Sequence, residues 1–583
     1  MKKVGIDDEC LYLEISNYME DRIFPLHTSI VLFLMSYCDT TSLKVFLVPN
    51  KNVADRTLWM KKVPANIPVT IISEQELPHV VQSCRLPALV EKNGNFCRAG
   101  LAVVLRYIIH KTCEADCNRK DISELLGFKK TCLKACAEVS QWTKLCEISI
   151  PLAVESFLGN SHCHQNIPPE IVHLEQKLGE PVRVHNDDKI RRQKLQEWTK
   201  NKNKESFIKG FDRGAGCCDE GVDITKNLIE ENLDTEKASL ELRTALSKLT
   251  VEQIPAVTSR EQSCIRKVKS TDLPPLEHVF AEGLYFTLTD IVLFPCLHYF
   301  FDSLGDRQEQ MLKALPLLSR WYRRVQEVSG VKKAAVSCGI HFLNLPATLP
   351  SSSMLIPSSN DRKDKNTETT DPHFRGGPRP TMNKLEENGI SARFTPHPFP
   401  LLSQNWSSLP SSAHPIEGKL SSERALRKQQ QLDNIISIVT NLARPGDTIV
   451  DFCSGGGHLG IVLAHILSSC QVILVENKEE SLVRARDRCD YLGLQNIWFL
   501  QTNLDYFTGS FQIGEHMILC RFADQTAVQL PAERLLIGKN CMGLVDLDRA
   551  WSAEELGYKV YVTSMEPDSC SPKNNLIVGS CSV

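Results

Sequence analysis

The residues best suited to chemistry lie near the C-terminus, where Asp451-Phe452-Cys453-Ser454-Gly455-Gly456-Gly457-His458-Leu459-Gly460 follows the apolar run Thr448-Ile449-Val450. A buried strand ending at Asp451, a glycine turn and a helix over 460–467 would aim backbone amides at whatever lies over the loop. Gly455, Gly456 and Gly457 bring no Cβ to block it. About 20 residues further on, 471–476 reads as a second strand ending in Glu476, a position from which a carboxylate accepts both ribose hydroxyls of a nucleoside. A third strand over 496–501 leaves Asn503 and Asp505 just beyond its end. Two nucleoside cofactors compete for such a frame. A dinucleotide wants G-x-G-x-x-G, but Cys453 takes the first glycine place and Asp451 would repel a pyrophosphate. The same acid can approach the cationic amino-acid part of S-adenosylmethionine, directly or through water. The expected cofactor is therefore S-adenosylmethionine, with Asp451, Gly455, Gly456, Gly457, Glu476 and Asn503 as its contacts. These motifs assign no catalytic residue.

A parallel sheet must position these groups. Leu482, Ala485 and Cys489 share one face of the helix after Glu476, 535–556 reads as a later helix, and 558–564 with 576–580 reads as a terminal hairpin. The length is short for the task. A seven-stranded sheet needs five βα units of roughly 30 residues each plus the hairpin, and the stretch from Asp451 to Val583 falls a unit or more below that. After Phe511-Gln512-Ile513-Gly514, where the fourth strand should continue, the chain runs directly into Glu515-His516-Met517-Ile518-Leu519.

The whole chain has 583 residues, 42% hydrophobic and 23% charged, which predicts several globular domains and excludes a fibrous repeat. With 67 Lys+Arg against 70 Asp+Glu, no global basic field recruits nucleic acid. The N-terminus turns acidic at Asp7-Asp8-Glu9 and the apolar run at 30–35 is too short to span a bilayer, so a cytoplasmic protein without a membrane partner is expected. The 22 cysteines read as packing thiols in a reducing compartment. Cys132 with Cys136, His162-Cys163-His164 and Cys217-Cys218 lack the paired spacing of a zinc knuckle, so no metal site is expected. Residues 186–274, opening on a basic run from Lys189 to Lys204, and 343–419, rich in Pro, Ser and Asn, are read as a disordered insert and a linker.

In the N-terminal third, strands are predicted over 11–15, 43–48 and 69–72 and helices over 29–37 and 99–109, with Leu86-Pro87 entering a short buried strand. Thr28 and Ser29 are read as helix caps. The pattern resembles the thioredoxin-like N-terminal domain of glutathione transferases. In that family an acid-serine pair binds the γ-glutamyl group of glutathione; here those places fall on Gly100-Leu101, whose side chains accept nothing, so glutathione chemistry is not expected.

Further along, Thr287-Leu288-Thr289-Asp290 is a capping box opening an apolar helix. With Pro316-Leu317-Leu318-Ser319-Arg320-Trp321-Tyr322 and Val331-Lys332-Lys333-Ala334 it resembles the all-helical C-terminal domain of glutathione transferases. The resemblance implies a structural role for Thr287 and Asp290 and, in many relatives, a docking role for the domain.

Adding Arg424 to Gln431, the glycine loop, Glu476-Asn477-Lys478 and Cys570-Ser571-Pro572-Lys573-Asn574, nearly the whole chain resembles the glutathione S-transferase C-terminal domain-containing family. The resemblance implies an α/β multidomain protein: a thioredoxin-like domain at 1–110, a helical domain at 111–185 and 275–342, and an incomplete Rossmann-like methyltransferase domain at 420–583. It implies an S-adenosylmethionine-binding, methyltransferase-like function, with a transferase-like half that docks a protein or RNA substrate. The alternative is a non-catalytic scaffold. The family's histidine-alanine-cysteine-glycine strand end and cysteine-proline-cysteine-cysteine-tyrosine segment are missing, which predicts a segment absent at the Gly514-Glu515 junction and an open methyl-transfer face, and leaves turnover by this chain undecided.

Overall fold

A computed structural model of the chain describes residues 8–16, 24–40, 42–50, 62–82, 84–127, 141–159, 166–184, 187–195, 273–345, 379–392, 394–399, 404–415, 421–502, 531–571 and 573–581. It is a mixed α/β structure with a largely parallel sheet and many helices. Two compact units divide it. One takes residues 7–89 and 99–356, the other residues 90–98 and 357–583. Most of the expected insert lies outside the described residues, as do Cys132, Cys136, His162-Cys163-His164 and Cys217-Cys218. The expected linker is described at 343–345, 379–392, 394–399 and 404–415, where it is ordered: it forms a helix at Arg379–Glu387, bridges Thr395 to Thr563 and buries Ala413, because its scattered apolar residues find partners distant in sequence.

In the first unit, strands β1 (Cys10–Ile15), β2 (Lys44–Pro49), β3 (Val69–Ile71) and β4 (Ala88–Val90) lie in the order β3-β2-β1-β4, with β1, β2 and β3 parallel. Helix α1 (Leu26–Cys38) is apolar nearly all round and buried nearly all round, as a helix must be when its sequence offers no polar face. Its cap is Pro25, so Thr28 and Ser29 sit inside the first turn. Their hydroxyls donate to the carbonyls of Glu14 (2.6 Å) and Phe24 (3.3 Å), which corrects the capping expectation. The Leu86–Pro87 peptide is cis. Helices α2 (Leu101–Ala115), α3 (Ile150–Gly159), α4 (Pro169–Gly179), α5 (Leu288–Ser303), α6 (Pro316–Glu327) and α7 (Ser329–Ser337) complete the unit. Phe33 of α1 packs on Phe294 of α5 with ring centroids 5.4 Å apart.

Asp290 organises the start of α5. Both halves of the capping box form. Its Oδ2 accepts the Thr287 amide at 2.9 Å, while Oδ1 accepts the Ala281 amide at 2.9 Å and the Trp321 indole N–H at 2.7 Å. Burial pushes this carboxyl up to about 7 against the pull of those donors.

The second unit is built on a parallel sheet of β5 (Phe96–Ala99), β8 (Ile497–Gln501), β7 (Gln471–Glu476) and β6 (Thr448–Phe452), in that order. Helix α9 (Ser422–Leu442) precedes β6, α10 (His458–Ile466) joins β6 to β7, and α11 (Glu479–Tyr491) joins β7 to β8. Phe96, Leu432, Ile436, Ile461, Leu474 and Phe499 share one core. Helices α8 (Arg379–Glu387) and α12 (Ala532–Glu555) pack through Met382, Leu385 and Cys541. Strands β9 (Tyr558–Ser564) and β10 (Asn575–Cys581) form the expected hairpin, but as a separate two-stranded sheet among the described residues. Buried Asn434 of α9 ties this hairpin down: its amide donates to the Glu566 carbonyl (2.6 Å) and its carbonyl accepts the Glu566 amide (2.8 Å). Among the described residues β6 ends the sheet, and Val450 and Phe452 are 41% and 54% exposed.

Candidate functional site

The glycine turn and the strand-end acid are physically joined. β6 delivers Asp451, and the chain then reverses through left-handed residues Cys453 (φ 55°), Gly455 (φ 56°) and Gly457 (φ 71°) into the first turn of α10. The Ser454 amide donates to the Val475 carbonyl at 3.1 Å, clamping the turn onto β7. The Gly455 amide donates to Glu476 Oε2 at 2.9 Å, and Glu476 Oε1 accepts the amides of Asn477 (2.9 Å) and Lys478 (3.0 Å). Three N–H donors thus hold a carboxylate whose oxygens keep acceptor capacity for further hydroxyls.

The glycines divide their work. A Cβ at Gly455 would meet nothing within 4 Å, so this residue borders open space. A Cβ at Gly457 would lie 2.7 Å from Leu474 Cδ1, so that position serves close packing of α10 on β7. A Cβ at Gly456 would lie 3.7 Å from His458 Nε2, an ordinary contact. Ser454 Oγ is buried with no hydrogen-bond partner among the described residues.

Asp451 Oδ2 accepts the Gly460 amide at 3.2 Å, inside the helix opening rather than out in water. Burial pushes its carboxyl up to about 6, with the Gly460 N–H and Lys428 pulling the other way. Burial and the neighbouring Arg488 and Lys428 cations lower His458 to about 4, so its ring is neutral at pH 7.

Of the six expected contacts, Asp451, Gly455, Gly456, Gly457 and Glu476 come together around one turn; Asn503 lies outside the described residues, as does the Gly514-Glu515 junction. Arg488 of α11 was not among them. It supports the loop from behind, donating Nη1 to the Gly456 carbonyl (2.9 Å) and Nε to the Ser412 carbonyl (2.8 Å). No local pattern marks such a long-range contact. Lys428 had a signal, the Arg424 to Gln431 segment that carries the family resemblance. Gln501 reaches the Asn477 carbonyl at 3.3 Å, steadying the turn after β7.

Among the described residues no group of three or more His, Cys, Asp or Glu side chains is placed to hold a metal ion, and no helix is long and apolar enough to cross a membrane.

No family model matches the chain. It is 54% identical to the human glutathione S-transferase C-terminal domain-containing protein, with 99% of each chain covered. It is 54% identical to the Xenopus laevis protein of that name, over 98% of this chain and 100% of the other. Its identity to the Drosophila melanogaster homolog is 30%, over 98% of this chain and 99% of the other. The human alignment runs over 636 positions against 583 residues here, so that relative carries residues without a counterpart in this chain. Among solved structures, the methyltransferase domain of bacterial CtHen1-C is 16% identical, covers 27% of this chain and 100% of its own, and has a TM-score of 0.18. Coclaurine N-methyltransferase bound to N-methylheliamine and SAH is 13% identical, covers 22% of this chain and 39% of its own, and has a TM-score of 0.14. Scores of that size carry no argument. The identity to the curated relatives, sustained end to end, does: the chain belongs to the glutathione S-transferase C-terminal domain-containing protein family.

Proposed function

We propose that residues 420–583 form a Rossmann-like, methyltransferase-like domain that binds S-adenosylmethionine, and that the glutathione-transferase-like half, thioredoxin-like at 1–110 and helical beyond, docks a protein or RNA acceptor. The observation that carries this reading is the 2.9 Å bond from the Gly455 amide to Glu476 Oε2 beside open space at Gly455. It joins a strand-end carboxylate that would accept ribose hydroxyls to a turn that brings no Cβ to block a ligand.

The donor set fits this cofactor. Two carboxylates, Asp451 and Glu476, flank the turn, which disfavours a pyrophosphate and suits a neutral sugar beside a cationic amino acid. Glu476 would hold the ribose hydroxyls, the amides around Gly455 and Gly456 would border the amino-acid part, and Asp451 would face its ammonium. When bound, S-adenosylmethionine supplies an electrophilic methyl group on a sulfonium. The chain's own residues bind and orient: Arg488 holds the Gly456 carbonyl, Ser454 clamps the turn to β7, and proximity does the rest.

Docking rather than conjugation by the first half is supported at Gly100 and Leu101. Gly100 caps α2 without a side-chain hydrogen bond, and Leu101 is fully buried. Burial of most of the described free thiols, Cys10, Cys97 and Cys489 among them, supports a reducing, cytoplasmic setting.

A scaffold without turnover is the second reading. It is favoured by Val450 and Phe452, whose exposure on β6 is at odds with the water exclusion a methyl-transfer face requires. Cofactor binding is accordingly proposed for this chain and methyl transfer for the longer relatives. Titration calorimetry of the full chain with S-adenosylmethionine and with its demethylated product tests the reading: saturable heat whose affinity Glu476→Gln lowers at least about tenfold supports it, and no heat with either compound overturns it.

A further inference from the structure

The strand that borders β8 in the second unit comes from far away in the chain. Residues 90–98 belong to that unit, and β5 pairs in parallel with β8 so that Phe96 faces Phe499, Cys97 faces Leu500 and Arg98 faces Gln501. Gln501 in turn faces Glu476 on β7. Arg98, Gln501 and Glu476 therefore form one row at the carboxyl ends of three parallel strands, the edge at which an open α/β sheet takes its ligand.

Arg98 is also fixed at the side-chain level. Its guanidinium, with a side chain only 3% exposed, donates Nη1 to Glu91 Oε1 at 2.6 Å and Nη2 to Glu479 Oε1 at 2.6 Å. Arg486 reaches the other Glu91 oxygen at 2.8 Å. Both guanidiniums stand over the Phe96 ring, at 4.5 Å and 5.3 Å from its centroid. Two cations and two anions balance, so the cluster buries little net charge. A buried arginine is retained at such a desolvation cost only where both its carboxylate partners stay in place. Glu479 is the first residue of α11, one residue beyond Lys478, whose amide holds Glu476 Oε1.

We infer that Arg98 is a positioning residue for the cofactor site: through Glu479 it fixes the first turn of α11, and so the Glu476-Asn477-Lys478 turn whose carboxylate would take the ribose hydroxyls. The inference rests on the proposed S-adenosylmethionine reading. It makes the hairpin carrying β5 a working part of a site that residues 420–583 alone do not complete.

The test uses the full chain with Arg98→Met and Glu479→Gln, the latter at a partly exposed side chain where folding is least at risk. Two readouts keep the inference and the reading apart. Without ligand, hydrogen exchange at the amides of Gly455, Asn477 and Lys478 should quicken in both variants while the amides within β6 and β7 keep their protection; unchanged exchange at those three amides overturns the inference whether or not any cofactor binds. With S-adenosylmethionine in the calorimeter, both variants should lose about tenfold in affinity, the order expected when a supporting contact is removed from a ligand-holding residue. The double variant should lose no more than Arg98→Met alone. Wild-type heat with undiminished affinity in both variants sinks the inference and spares the cofactor reading. Absent wild-type heat sinks that reading alone, and the exchange result then decides by itself whether Arg98 positions the Glu476-Asn477-Lys478 turn.

Discussion

Glu476 Oε2 accepts the Gly455 amide at 2.9 Å, so the acid ending β7 is tied directly to the turn leaving β6. In an open α/β sheet both features border the crevice beyond the carboxyl ends of the strands, where a ligand lies. Here the carboxylate is preorganised by three amides before any sugar arrives.

Replacing Glu476 by Gln keeps the size and removes the charge. One amide oxygen cannot serve Gly455 and the Asn477–Lys478 pair together, and the amide nitrogen would face a donor. Loss of charge-assisted bonds of about 1.5–3 kcal/mol predicts roughly a tenfold to hundredfold fall in affinity for the demethylated cofactor product. Calorimetry on the full chain reads this directly. Equal affinity in the variant would remove Glu476 from the site.

The two left-handed glycines should respond differently to alanine. Gly455→Ala faces open space, so only the backbone penalty of about 1–2 kcal/mol applies. Gly457→Ala adds a Cβ 2.7 Å from Leu474, a fully buried side chain, and should cost about 2–4 kcal/mol. Urea unfolding of both variants checks the order, and a Gly455 variant that is the less stable of the two would refute the division of labour.

Local patterns carried most of what the sequence revealed. Strand β7 was legible at both ends because an apolar run from Val472 stops at an acid, and the Thr287–Asp290 box because its partners stand three residues apart. β5 was not. Its four residues include a charged Arg98 and end on Ala99, where the helix was expected to start, and their partners Phe499, Leu500 and Gln501 are distant in sequence. The same distance hid Arg488 behind Gly456 and the ties from Asn434 to Glu566. Thr28 and Ser29 looked like caps because hydroxyl residues favour helix starts, but α1 begins two residues earlier, and their hydroxyls find backbone carbonyls instead. Alternation showed the β9–β10 hairpin; its separation from β6 is a tertiary fact that no period encodes.

Asp451 predicts a pH dependence with a definite sign. Burial raises its folded-state value from 3.8 to about 6, so its contribution to stability is complete below about pH 4 and is lost as pH rises through 6. Asp451→Asn keeps an oxygen for the Gly460 amide and carries no charge. Relative to wild type it should gain stability between pH 4 and pH 7, by at most about 3 kcal/mol, while its affinity for S-adenosylmethionine falls. Urea midpoints at pH 4 and pH 7 decide it: a wild-type-minus-variant difference that does not change with pH would show that the carboxyl is not desolvated.

In the first unit Asp290 should matter for stability far more than its single charge implies. Asp290→Ala leaves the amides of Ala281 and Thr287 and the Trp321 indole N–H without their acceptor in a fully buried place, a loss of about 3–5 kcal/mol. Trp321→Phe removes one donor and also shrinks a buried ring, so it should cost about 2–4 kcal/mol, still less than Asp290→Ala. That variant should also leave the Asp290 carboxyl, already pushed up to about 7 by burial, with one fewer group favouring its charge, and its value should rise further. The raised value makes the stability contribution of Asp290 decline as pH climbs from 4 through 7, and Trp321→Phe should steepen that decline. Denaturant midpoints of wild type and Trp321→Phe between pH 5 and pH 8 measure it. Parallel curves would mean that the indole N–H does not stabilise the ionised carboxylate.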